Sequence, residues 1–95
     1  MGSTESVLRN LEVLQYQMHC QAEFARSGLE LATCAIDHWR SVAAGFTSDC
    51  AEAMQAKASV ETFRNAAGIF QEILTACQHA EHDADLILGA KTDAA

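Results

Sequence analysis

QAEFARSGLELATC, residues 21–34, holds the decision about the fold. Ser27 and Gly28 stand together in it, and a Ser-Gly pair is ordinary turn chemistry that would reset any hydrophobic phase. The phase does not reset. Steps of four and three residues give Val7, Leu11, Leu14, Met18, Gln21, Ala25, Gly28, Ala32, Ala35, Trp39, Val42 and Phe46, a line of mostly apolar or small residues that runs straight through the pair. The opposite stripe reads Glu5, Arg9, Glu12, Tyr16, His19, Glu23, Arg26, Glu30, Thr33, Asp37 and Arg40. Glu5 with Arg9 and Asp37 with Arg40 place opposite charges at helical-neighbour spacing. This spacing predicts one helix over about 5–44, with Gly28 permitting close backbone approach. At 1.5 Å per residue it is a rod of roughly 60 Å, too long for so short a chain to cover. A 3.5-residue repeat kept for more than four heptads predicts coiled-coil-like packing and self-association.

Beyond Phe46 the phase fails, since the next position on the line is Asp49. Gly45 supplies a helix end, and Thr47 or Ser48 a fresh N-cap for a short bridging helix over about 48–57. Ser59 is the next candidate cap, with Glu61 in the first turn where the helix dipole favours an anion. From there Val60, Phe63, Ala67, Phe70, Leu74 and Cys77 form one line, with Ala66, Ile69, Ile73, Ala76 and Ala80 beside it. A return helix over about 60–88 follows, and the tail 89–95 is expected to fray. With no proline and few glycines anywhere, the expected fold is all-α: a single helical domain over 1–95, folded as an elongated antiparallel hairpin of two long helices.

Composition narrows the function. A chain of 95 residues is one domain, and it buries only about 60–65% of the surface its unfolded form exposes. Hydrophobic residues make up 49% but aromatics only 6%, so much of the apolar content is alanine, which packs closely and yields little transfer free energy. Such a chain gains stability from copies of itself or from a partner. Six Lys and Arg against thirteen Asp and Glu give a net charge of −7, which argues against nucleic acid and anionic lipid as ligands. No apolar run approaches the ~20 residues of a membrane span. The opening residues MGSTES lack a basic region followed by an apolar stretch, so a cytoplasmic location is expected.

Candidates for chemistry are few. In HAEHDAD, His79, His82 and Asp83 share a helical face, but three ligands on one helix seldom close a metal site, so a solvated helix end is expected. Cys20 and Cys34, with His19 and His38 nearby, share a face but lie four turns apart, roughly 21 Å along a helix, and cannot share an ion within it. Cys20, Cys34, Cys50 and Cys77 show neither a CxxC pair nor regular spacing, and packed, reduced thiols are expected. There is no phosphate loop, nucleophile elbow or haem-attachment motif. The expectation is a noncatalytic protein without metal or cofactor. Its apolar interaction face is drawn through Val7, Leu11, Leu14, Met18, Ala25, Ala32, Ala35, Trp39, Val42 and Phe46, continued by Phe63, Phe70 and Leu74. Trp39 suits either a core or insertion into a partner surface.

A long amphipathic helix containing Ala and Gln, an Ala-Lys turn and a return helix with spaced Phe resembles the phasins, bacterial proteins that coat polyhydroxyalkanoate storage granules. The likeness is strongest in AEAMQAKASVETFRNAAGIFQEILTACQHAEHDADL, residues 51–86, and covers most of the chain as pattern and composition. The proline often found in the phasin turn is missing from KASVET. The resemblance implies a noncatalytic, self-associating amphiphilic coat at the surface of a hydrophobic polymer granule in the cytoplasm. The alternative is a small acidic helical adaptor, chaperone or secretion-partner module that binds a partner helix through the same seam. Secreted hairpins of the WXG type have this length and a central Trp, but Arg40 and Ser41 follow Trp39 without a turn glycine.

Overall fold

A computed structural model describes residues 2–94, with side-chain surroundings for residues 4–89. Those residues form two α-helices and no strand: α1, Gly2–Ala44, and α2, Ala51–Ala94. The end of α1 falls where Gly45 was expected to place it. There the last turn tightens, as Gly45 N–H donates to Val42 O at 3.1 Å and Phe46 N–H to Ala43 O at 3.3 Å.

The start of α2 corrects the expected cap. Cys50, rather than Thr47 or Ser48, stands before the helix, and its carbonyl accepts from Met54 N–H at 3.0 Å. Glu52 in the first turn bonds its own backbone N–H and the Cys50 side chain. Those bonds hold its carboxyl below the usual range.

The short bridging helix over 48–57 and the separate return helix over 60–88 do not exist as such; both belong to α2. The residue types explain why. No glycine or proline falls between Ala51 and Ala67, and serine inside a helix costs only about half a kcal/mol relative to alanine. Thr62 Oγ1 donates to Ala58 O at 3.1 Å, so the turn spanning Ser59 carries a back-bond as well as its helical continuity. α2 continues past Gly89 to Ala94.

The chain divides into two units, each an antiparallel pair of helical segments. In unit 2, Ala25–Glu72, α1 turns its Ala25, Leu29, Ala32, Ile36, Trp39 and Ala43 inward. Ala53, Ala56, Val60, Phe63, Ala67 and Phe70 do the same on α2. The Phe70 ring covers Gly28, where a Cβ would lie only 2.5 Å from Cε1. The six-residue turn 45–50 leaves antiparallel pairing as the only short connection. In unit 1, Met1–Phe24 with Ile73–Ala95, the less exposed positions are Leu8, Leu11, Gln15, Met18 and Ala22 against Leu74, Cys77, Ala80, Glu81, Ala84 and Leu88. Gln15 meets Asp85, His19 meets Glu81 and Gln21 meets Cys77, so numbers rise on one segment as they fall on the other.

Each seam advances by alternate steps of three and four residues, the repeat expected from the sequence, but the part of the expected α1 line that lies in unit 1 is displaced at alternate positions. Leu11, Met18, Ala25, Ala32 and Trp39 do face inward. Between them unit 1 uses Leu8, Gln15 and Ala22 in place of the exposed Val7, Leu14 and Gln21, whereas in unit 2 both neighbours of each pair, Gly28 and Leu29, Ala35 and Ile36, Val42 and Ala43, are half-buried. The core is thin. Nine described residues are buried, six of them alanine, and no large side chain is fully enclosed.

Candidate interaction face

The candidate feature is the sorting of side chains on the flanks of these seams. Let the seam residues be positions a and d of a heptad, so that Leu8 is a and Leu11 is d. All eight formally charged residues of α1 then fall at b or e: Glu5, Arg9, Glu12, Glu23, Arg26, Glu30, Asp37 and Arg40. The c and g lines, on the other flank, carry none. On α2 the same two lines stay uncharged from Ser59 to Ala80, through Thr62, Ala66, Ile69, Ile73 and Ala76, until Asp83 ends them. A line on a helix flank recurs every seven residues, so α1 has one charged and one uncharged flank, the uncharged one mixing apolar residues with Asn10, Gln17, Gln21 and His38.

Within each unit, contacts show which flanks meet. In unit 1 the polar flanks adjoin: Gln15 donates to the Asp85 carboxylate, and His19 Nδ1 lies 3.1 Å from Glu81 Oε1. Glu12 and Tyr16 complete an open groove with these four. A hydrogen bond with Cys20, one turn on, together with the charge that thiol can carry, pushes the Tyr16 phenol above its ordinary value. The other flank of unit 1 presents Val7, Leu14, Ile73 and Ile87, with Val7 63% and Leu14 45% exposed. In unit 2 the polar flank holds Arg40, Lys57, Glu61 and Arg64 around a groove, and Arg64 pairs with Glu61 at 2.5 Å. Its other flank presents Leu31, 73% exposed, and Ile69, 57% exposed.

The residues expected to form one apolar face therefore serve two purposes. Ala25, Ala32 and Leu74 are buried, and Leu11, Met18, Trp39, Phe63 and Phe70 are half-buried, all in the seams. Ala35 and Val42 are half-buried on the uncharged flank, where Val7 and Leu14 are exposed. Phe46 lies exposed in the turn. Trp39, with His38 edge-on to it at 5.2 Å, belongs to the inner seam. Leu31 and Phe24, at c positions, are two of the outward residues that the expected line missed. The missing charge on that flank was the signal that marks them.

The cysteines divide in the same way. Cys77 is buried with its Sγ 3.8 Å from Gln21 Oε1, Cys50 is half-buried, and Cys20 and Cys34 are exposed, so packing accounts for Cys77 but not for Cys20 and Cys34. His79, His82 and Asp83 are exposed on α2. Among the described residues no three His, Cys, Asp or Glu side chains are grouped to hold a metal ion. No described helix is long and apolar enough to cross a membrane.

Comparison with known proteins finds no family model, no curated protein and no solved structure that matches this chain. Fold and face together define a class: a two-helix protein in which α1 carries all its formal charges on one flank.

Proposed function

We propose that this chain is a noncatalytic amphiphilic coat protein, phasin-like in its action, that lays its uncharged flank on the surface of a polyhydroxyalkanoate granule. The observation that carries the reading is the confinement of every α1 charge to positions b and e, which leaves c and g free to meet a hydrophobic phase. A thin alanine core supports it further, because a pair of helices with so little enclosed apolar surface gains by covering its exposed Val, Leu and Ile. In solution a second copy of the chain serves as that cover; at the granule the polymer does. The charged flank then faces water, and a net charge of −7 keeps coated granules apart.

The test is co-sedimentation of the purified protein with polyhydroxybutyrate particles beside an unrelated acidic helical protein. Trp39→Glu is a poor probe, because it places a charge in the inner seam and disturbs the fold itself. Leu14→Glu and Leu31→Glu charge the outer flank at exposed positions and leave helix content unchanged. Each substitution weakens binding by about tenfold, since it loses a buried leucine and adds a carboxylate at the polymer interface. Binding no stronger than the control's would overturn the coat reading in favour of an adaptor for a partner helix.

A further inference from the structure

The two seams differ in chemistry. Every seam position (a or d) in unit 2 carries an apolar side chain, with half-buried Ser59 beside the seam, whereas unit 1 places Gln15 and Glu81 at seam positions themselves. The polar groups facing them are named by the contacts: Asp85 accepts from Gln15, His19 lies against Glu81, and Glu12 and Tyr16 share the groove. The groove is open, and water replaces hydrogen bonds of this kind at little net cost. Polar seam residues select register while weakening the seam. Loop closure acts in the same direction. The turn 45–50 joins the segments of unit 2 directly, while Gln15 and Asp85 are 70 residues apart and meet cheaply only after unit 2 has closed.

We propose that unit 1 is a separable helix pair: its segments of α1 and α2 part while unit 2 stays paired, and the parting presents Leu8, Leu11, Met18 and Leu74 as a second apolar surface. Local opening of this type draws on the least stable part of a fold, here the pair with polar groups in its seam. Use of the uncovered surface on a polymer rests on the coat reading; the parting does not.

Cys77 is a built-in reporter, because it lies in the unit 1 seam at 4% exposure. With Cys20, Cys34 and Cys50 replaced by serine, the labelling rate of Cys77 by a thiol reagent measures how often unit 1 opens. A matched protein carrying Cys77→Ser and Ala56→Cys reports on unit 2, where Ala56 is 1% exposed. Cys77 labels at least about tenfold faster than the unit 2 reporter. Gln15→Leu combined with Glu81→Leu slows Cys77 labelling by a further factor of about ten and leaves the unit 2 rate unchanged. Equal rates for the two reporters, or a Cys77 rate indifferent to the paired leucines, would overturn the proposal. The second comparison stands even if Ala56→Cys fails to fold. Labelling is measured without polymer, so its outcome is separate from that of the co-sedimentation.

Discussion

Replacing Gly28 by alanine and Gly68 by alanine makes the same chemical change in two helix interiors and has opposite consequences. Neither glycine has a positive φ, so the backbone accepts alanine at both positions. In a helix interior alanine is favoured over glycine by about 1 kcal/mol, an expected gain common to both substitutions. At Gly68 nothing lies within 4 Å of the new Cβ, and that gain is realised. At Gly28 the new Cβ would lie 2.5, 2.6 and 2.7 Å from Cε1, Cζ and Cδ1 of Phe70. Ordinary carbon contacts are about 3.5–4.0 Å, so the ring must retreat by roughly 1 Å. Overpacking of this kind costs about 1–3 kcal/mol. Gly28→Ala is therefore destabilising by about 1 kcal/mol, and it stands about 2 kcal/mol below Gly68→Ala. In a domain this size 1 kcal/mol moves Tm by about 4–8 °C, so thermal melting followed by circular dichroism, at one fixed protein concentration, resolves the pair. Phe70→Leu in the Gly28→Ala background removes the clashing ring edge and returns part of the loss; a double-mutant cycle isolates the coupling. Equal stabilisation by the two alanines would refute the close approach of Phe70 to Gly28.

Two further outcomes follow from α2. Ser59→Pro loses about 3 kcal/mol because position 59 is interior to a continuous helix, whereas a proline in a cap or turn would be tolerated; urea unfolding distinguishes these cases. Glu52 has its folded pKa lowered by its backbone and Cys50 hydrogen bonds, so its contribution is present above the ordinary glutamate value near 4.3 and is lost as pH falls through the lowered one. Glu52→Gln therefore gives a shallower loss of stability on acidification than the parent protein, measured as Tm between pH 7 and pH 3; identical slopes would count against this capping role.

Ser59 also illustrates why one boundary was not legible. A serine followed two residues later by glutamate is a valid helix start, and local chemistry alone supports it. The helix continues because Ala53, Ala56 and Val60 are all buried against α1, and a break at Ser59 would take the first two out of phase with the third. The charged stripe was fully legible, since every member named from the sequence lies at b or e. In unit 1 the inner line was legible only at alternate positions. Val7 and Leu8, Leu14 and Gln15, Gln21 and Ala22 are neighbours one residue apart, and both choices keep a 3.5-residue repeat with Leu11 and Met18.

By itself the sequence determined that this protein is helical, where α1 ends and which flank of α1 carries charge, because propensity, breakers and residue spacing act within a single helix. Only the tertiary structure decided that in unit 1 Leu8, Gln15 and Ala22 close the seam while Val7, Leu14 and Gln21 stay outside. That choice depends on the azimuth at which α2 packs against α1, and the free energy of burying one line rather than the other exists only once both helices are present.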